Sequence, residues 1–258
     1  MLPASCRHYP RVVLRDDGGT RVSLSHYCPT AASLLVSKGE LRVMLAPPGL
    51  VVDEPVEGLD ARSALPPLIR PEMLADRDGY CAWETACVAT LERHTDATGA
   101  LGVIGLATEV LRQWTPSAGP LVDAVAGAFV TAEQTWSERP VPYARVGGQI
   151  VATLATTAPR IPEKPCEQLT ADMERAISNY LAARAFGNWL CYHGRGFRTI
   201  VAWLHACHDV VRAFAGSQAT ATVDIVSAIR SADFLMMHTI DSQAFADAAV
   251  SIERERLP

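Results

Sequence analysis

The C-terminal third of the chain carries apolar side chains at the three- and four-residue intervals that are typical of amphipathic helices. One apolar stripe extends from Leu169 to Leu190, and a second extends from Phe197 to Phe214. The sequence Gly194-Arg195-Gly196 separates them and ends the first. This pattern predicts two long helices and an α-helical body.

Four shorter helical segments are expected before this third of the chain. They cover Cys81 to Arg93, Ala100 to Trp114, Gly119 to Trp136 and Val146 to Thr156, and Asp78-Gly79 is expected to be a break just before the first of them. After the second long stripe, Thr222 and Ser242 are suitable N-terminal caps for two final helices, toward Ile240 and Glu253. No repeat of fixed period is present, which argues against a solenoid.

The first 70 residues have a different pattern. Arg11 to Arg15 and Thr20 to Ser25 predict a β-hairpin around the turn Asp16-Asp17-Gly18-Gly19, a solvated turn, and Pro29 opens a short helix. A second hairpin is expected at residues 41–52, and a proline-rich connector at residues 53–71, followed by one helical turn at residues 72–75. We therefore expect a mainly α fold: residues 1–70 form a cysteine-containing, β-rich element with its connector, and residues 71–258 form an α-helical domain.

Composition narrows the class of protein. The chain has 258 residues, 49% of them hydrophobic and 20% charged, which is the balance of a globular protein. A dispersed net charge of −5 gives no field that would attract nucleic acid or an anionic membrane, so neither is an expected partner. Seven irregularly spaced cysteines and the lack of a signal sequence predict a reducing, cytoplasmic compartment without disulfides. The sequence contains no run of about 18 apolar residues, so no membrane span is predicted.

Two cysteines carry the candidate chemistry. The predicted hairpin would bring Cys6 toward Cys28, and Cys28 directly precedes Pro29, which suits the first position of a helix. Cys28 is thus an expected N-cap residue. There the free backbone N–H groups and the helix dipole favour the thiolate, the form that binds metal. His8 and His26 lie beside these thiols, where they could hydrogen-bond sulfur or substitute as a ligand.

The motif around these residues resembles a known family. Cys6-Arg7-His8-Tyr9-Pro10-Arg11, followed by Ser23-Leu24-Ser25-His26-Tyr27-Cys28-Pro29-Thr30-Ala31-Ala32, is similar to the second half of the YkgJ-like cysteine-cluster family. That family is described as zinc- or iron-chelating and includes flagellin lysine N-methylase. The resemblance covers about 35 residues, with a looser likeness at Asn179-Tyr180-Leu181. The family's earlier cysteine group has no counterpart here, so we expect either a truncated start or a member without its full cluster.

The resemblance implies three functions that stay open at this point. The first is a metal or iron–sulfur binding protein in which Cys6 and Cys28 hold an iron–sulfur cluster or zinc. The second is an S-adenosylmethionine-dependent protein lysine N-methyltransferase acting on a protein substrate, although the usual glycine-rich cofactor loop after a first strand is absent. The third is a helical scaffold with a vestigial cluster.

Other chemistry-bearing residues have simpler interpretations. His205, Cys207 and His208 lie close on one predicted helix and could build a metal site with Cys191, His193 and His238, but Cys207 falls on the apolar stripe and favours a core role. Cys81 and Cys87 are expected to be ordinary core or surface thiols. The pair Ser25-His26 lacks a nucleophile elbow and a third triad member, so hydrolysis is disfavoured. Glu84 has no sequence context that places it in a cleft.

Overall fold

In the computed structural model the described residues are 9–37, 41–46, 58–137, 144–155, 161–162, 165–166, 169–216 and 224–254. They are mainly helical, with a small sheet near the N-terminus, which confirms the predicted fold class. No helix in this part of the chain combines the length and the hydropathy that a bilayer crossing requires.

The predicted N-terminal hairpin is present. Strand β1, Arg11–Asp16, pairs antiparallel with β2, Gly19–Leu24, in a register that sets Arg11 opposite Leu24. Gly19 has a φ of +127°, a conformation that favours glycine over any residue with a Cβ. A short strand β3, Leu59–Asp60, adds to the other edge of β1 in parallel. The turn chemistry of the sequence was therefore sufficient to locate the hairpin.

The second predicted hairpin is wrong in its first arm. Residues 41–46 form no strand, and the other arm lies outside the described residues. A hairpin forms later instead, where β4, Leu68–Arg70, pairs with β5, Met73–Leu74. The predicted helical turn at residues 72–75 is therefore also wrong, because Glu72 adopts a φ of +66° and reverses the chain between the two strands.

Eleven α-helices lie within the described ranges. Their bounds, labelled α1 to α11 in chain order, are Pro29–Leu35, Arg77–Arg93, Ala97–Leu111, Leu121–Thr135, Ala144–Leu154, Ala171–Ala185, Leu190–His193, Phe197–Gly216, Ile225–Asp233, Ser242–Ala248 and Val250–Arg254. A 3-10 turn at Pro116–Ala118 precedes α4, and a π-helical turn at Phe234–Thr239 continues α9.

Several helices begin at a side chain that accepts a hydrogen bond from a free N–H of the first turn. These caps are Asp76, Asp96, Thr170, Asp224 and Asp241. The predicted cap Ser242 is one position late, and Thr222 lies outside the described residues. The helix beginning at Arg77 also starts earlier than expected, because Gly79 continues α2 instead of breaking it.

The helix α8 lies at the centre of the core, with most of its side chains buried. At its start the Phe197 ring stacks on Trp83 of α2, with ring centroids 4.4 Å apart. Leu14 and Ile69, from the β-rich part of the chain, belong to the same hydrophobic cluster. The hairpin is therefore packed directly on the helices.

A buried polar network fastens the hairpin to that core. The Arg21 guanidinium donates to Asp16 at 2.5 Å and to Glu84 of α2 at 3.0 Å, and the Tyr192 hydroxyl donates to Asp16 at 3.0 Å. Asp16 is 6% exposed, so the predicted solvated turn is wrong at this residue. Gly187 N–H also donates to Glu84 at 2.9 Å, which ties the end of α6 to the same network. The orientation of β2, and of the residues that follow it, is thereby fixed.

Candidate functional site

The segment Ser25–Cys28 connects the end of β2 to the start of α1. Ser25 N–H donates to the Pro10 carbonyl at 2.6 Å, which extends the hairpin ladder by one residue. Cys28 has extended backbone angles at the N-cap, and Pro29 follows as the first helical residue, as predicted. The Cys28 side chain makes no capping hydrogen bond, so its half-buried thiol is free for other chemistry.

The other predicted ligand, Cys6, lies outside the described residues, as does His8. The first described residue is Tyr9, which is half exposed. Partial burial raises the pKa of its phenol, while the Arg230 guanidinium acts in the opposite direction. The hydrogen bond from Ser25 N–H to the Pro10 carbonyl holds the start of the hairpin beside the segment that leads to Cys28.

A buried carboxylate anchors the segment. Asp233, the last residue of α9, is completely buried, and its Oδ2 accepts hydrogen bonds from Ser25 Oγ at 3.0 Å and from Tyr27 N–H at 2.9 Å. Its Oδ1 lies 3.5 Å from Nη1 of Arg184, and Arg184 also donates to the Leu24 carbonyl at 2.5 Å. Two residues that are distant in sequence thus fix the segment from the helical side.

The side chain of His238 also contacts Ser25. His238, on the π-helical turn, places Nε2 2.7 Å from Ser25 Oγ. Serine, histidine and aspartate meet here, but Asp233 binds the serine and not the histidine. A catalytic triad needs the carboxylate on the far side of the imidazole, where it sets the tautomer and stabilises the imidazolium. With Ser25 only 2% exposed, the geometry positions Ser25 structurally and does not make it a nucleophile.

Aromatic and cationic side chains pack around Tyr27, the residue before Cys28. The Tyr27 ring packs on Phe234 at 5.0 Å and on His238 at 5.8 Å between centroids. The Arg230 guanidinium lies over the same ring at 5.7 Å and donates to the Tyr27 carbonyl at 3.1 Å. We call the patch formed by Tyr9, Tyr27, Cys28, Arg230 and His238 the Cys28 surface.

His26 lies in a different environment from Cys28. It is 3% exposed and packs edge-on against Tyr180, with ring centroids 5.7 Å apart. Burial, reinforced by the Arg184 charge, lowers the pKa of His26 to about 3, so the ring is neutral at physiological pH. Neither ring nitrogen has a hydrogen-bond partner among the described residues, so the expected bond to a described thiol is not formed.

The remaining predicted cysteines have structural positions. Cys81 is half buried and accepts from Nη2 of Arg21 at 3.0 Å. Burial raises the pKa of Cys87, Cys191 and Cys207, which disfavours their thiolates. Cys81, Cys87 and Cys207 therefore behave as the core or surface residues that their sequence positions favoured, and Cys191, named as a possible metal ligand, is buried as well.

The histidine pair on α8 does not form a metal centre. Cys207 is fully buried, and burial with the neighbouring His208 lowers the pKa of His205 to about 4. His208 Nδ1 contacts Asp209 of its own helix at 3.0 Å. Within the described ranges no three histidine, cysteine, aspartate or glutamate side chains come together as metal ligands.

The sequence did not reveal two of the residues that position the segment. Asp233 and Arg184 are separated from Ser25 by more than 150 positions and belong to no motif. One available signal was the helical position of Arg184. It lies four residues after Tyr180, on the apolar stripe, where a charged side chain is buried and needs a partner.

No protein-family model, curated protein or solved structure matches this chain.

Proposed function

We propose that this chain binds a metal ion or an iron–sulfur cluster through thiolates that include Cys28 and Cys6. The observation that carries the proposal is the extended hairpin ladder, in which Ser25 N–H donates to the Pro10 carbonyl at 2.6 Å and so holds the start of the hairpin beside the segment that leads to Cys28. Cys6 precedes Tyr9 by three residues, and three residues span at most about 11 Å. This short connection supports the inclusion of Cys6 among the ligands.

The environment of Cys28 supports the same proposal. Its sulfur belongs to the N-cap residue of α1 and makes no capping hydrogen bond, so it is available to a ligand. The nearby aromatic rings of Tyr9 and Tyr27 would limit water around a bound centre, as in sites where the surrounding shell controls solvent access. Arg230 places one positive charge over the Tyr27 ring, next to Cys28 in the sequence.

Among the described residues Cys28 is the one thiol of the Cys28 surface, so we propose that the other ligands come from elsewhere, with Cys6 as the first. An iron–sulfur cluster is usually held by four cysteines, and structural zinc by four cysteine or histidine ligands. The alternative prediction, an S-adenosylmethionine-dependent lysine methyltransferase, rests on the resemblance alone and stays a prediction.

The test is a metal and sulfide analysis of the anaerobically purified chain, before and after reconstitution with iron and sulfide or with zinc. We expect Cys28→Ser and Cys6→Ser each to lower the bound metal per chain at least severalfold. Cys81→Ser is the matched control, because that thiol contacts Arg21 inside the hairpin network and is not part of the Cys28 surface. We expect its metal content to equal that of the parent protein.

Two results would contradict the proposal. One is an absence of bound metal in the parent protein after every reconstitution, which would favour a helical scaffold. The other is an equal loss of metal in the Cys28→Ser and Cys81→Ser variants, because that would indicate a general loss of structure.

A further inference from the structure

A cavity of about 260 Å³ lies between the hairpin, α6 and residues 41–44. Its walls are formed by β2 and the residue His26 beyond it, by the C-terminal part of α6, by Val88 of α2 and by residues 41–44. We call this cavity the Arg42 groove. The lining residues used below are Val22, Ser23, His26, Arg42, Val43 and Met44.

Most of the wall of the groove is apolar. Nine of its twelve described lining residues are aliphatic, phenylalanine or methionine side chains, and the polar members are Ser23, His26 and Arg42. An apolar wall of this kind favours the burial of an alkyl chain or a ring, because apolar surface is then removed from water.

The groove opens beside an exposed apolar strip. Val43 and Met44 are 53% and 80% exposed, and the next residue, Leu45, is 97% exposed. Three consecutive large apolar side chains in water are unfavourable unless they serve a purpose, and exposed apolar patches are found beside ligand-binding grooves. The strip therefore continues the apolar lining outward, where an alkyl chain that enters the groove would pack against it.

One charged side chain sets the sign of the ligand. Within the described lining no residue is acidic and burial keeps His26 neutral, so the exposed Arg42 carries the charge. A guanidinium presents five N–H donors in a fork that matches a carboxylate, and it can serve a second acceptor besides its interaction within the protein. Nδ1 of His26 is sealed from solvent, so a molecule in the groove does not reach it.

We propose that the Arg42 groove binds a medium-chain fatty carboxylate, with the alkyl chain along the apolar wall and the carboxylate at Arg42. Because Arg42 is exposed, the carboxylate stays hydrated and avoids the large cost of burying a charge. A cationic head group would be repelled by the guanidinium. A neutral head group would gain nothing from its charge.

The volume of the groove defines the length of the alkyl chain. An apolar cavity of about 150 Å³ accommodates the six carbons of benzene, so about 260 Å³ accommodates about ten heavy atoms, the size of octanoate. For a ligand of this size we expect a dissociation constant on the order of 1 mM. Fatty carboxylate binding does not depend on metal binding, so it can fail or succeed independently of the proposed function.

The experiment is an NMR titration of the full chain with octanoate, butanoate and 1-octanol, using the parent protein and Arg42→Gln. Butanoate keeps the carboxylate and lacks four methylene groups, so we expect it to bind at least about tenfold more weakly than octanoate. Arg42→Gln should weaken octanoate about threefold at low salt, as the loss of an exposed ion pair implies, and should leave 1-octanol unchanged. Raising the salt to about 0.5 M should remove the difference between the two proteins, because salt screens exposed charges.

A second pair of variants tests the location. Val22→Phe places a larger side chain on the groove wall and should abolish saturable octanoate binding. Thr20→Phe is the matched control, because Thr20 is an exposed residue of the same strand outside the groove, and its affinity for octanoate should equal that of the parent protein.

Four results would each overturn the proposal. These are an absence of saturable octanoate binding to the parent protein, butanoate binding as tight as octanoate binding, an equal effect of Arg42→Gln on octanoate and 1-octanol, and equal behaviour of the two phenylalanine variants. Arg42 is exposed, so Arg42→Gln retains the fold and keeps the charge test valid even if Val22→Phe is destabilised.

Discussion

The most demanding test of the site's architecture is the substitution Asp233→Asn. Asp233 is completely buried, binds Ser25 and the Tyr27 N–H through Oδ2, and faces Arg184 across 3.5 Å. Asparagine has nearly the same shape and keeps one acceptor oxygen, so the substitution removes mainly the charge. The buried guanidinium of Arg184 then has no counterion within the described ranges.

The expected loss of stability follows from that unpaired charge. Removing one partner of a buried ion pair costs about 3–5 kcal/mol. Because the remaining oxygen can still accept from Tyr27 N–H, and because the contact with Arg184 is long, we expect the lower end, about 3 kcal/mol. For a chain of this length the usual unfolding entropy per residue converts this value into a fall in Tm of about 6 °C.

Urea unfolding of four proteins measures this effect: the parent, Asp233→Asn, Arg184→Met and the double variant. We expect the double variant to lose about 2 kcal/mol less than the sum of the single variants, since it leaves neither charge unpaired. Asp224→Asn is the control, because it caps the same helix from an exposed position and asparagine caps equally well. A loss below about 1 kcal/mol for Asp233→Asn, or additivity in the double variant, would refute the role of this ion pair.

Two further predictions concern the helical core. Burial lowers the pKa of His205 to about 4, so this residue takes up its proton at a higher pH in the unfolded chain than in the folded one. The contribution of His205 to the free energy of unfolding therefore falls as the pH decreases from about 6.5 to 4. The fall is at most about 1.4 kcal/mol per pH unit. His205→Gln should flatten this dependence in urea unfolding between pH 7 and pH 4, and an unchanged slope would contradict it. A Cβ at Gly147 would lie 2.1 Å from the Ala202 carbonyl oxygen, so Gly147→Ala should destabilise the protein by about 1–3 kcal/mol. Gly127→Ala, in open space on α4, should stabilise it by up to about 1 kcal/mol, and the same sign for both would be evidence against close contact between α5 and α8.

Much of the helical fold was predictable because it follows from apolar periodicity and from local turn chemistry. The helix Phe197–Gly216 ends at the glycine where its stripe ends, and the hairpin of β1 and β2 follows its glycine-rich turn. The sequence analysis missed the strands β4 and β5 because segments of three and two residues are too short to show an alternation of apolar and polar side chains. Gly79 was misread as a break, although a Cβ there would lie 2.4 Å from Leu121 Cγ, so glycine permits helix packing.

The candidate site was predictable only where its determinants are local. Cys28 as an N-cap follows from the adjacent Pro29, and the hairpin before it follows from the glycine-rich turn. The contacts of Asp233 and Arg184 depend on how α6 and α9 pack against β2, and local sequence does not encode that arrangement. The burial of Asp16 has the same origin, because its partner Tyr192 is supplied by a distant helix.

The segment after β2 lies next to two buried charges. Ser25 and the Tyr27 backbone face Asp233, and Asp233 faces Arg184 across 3.5 Å. Both charges also act on His26, because Arg184 lowers the pKa of its imidazole and Asp233 acts in the opposite direction. The ion pair that holds Ser25 and Tyr27 therefore also sets the electrostatic environment of the residue between them.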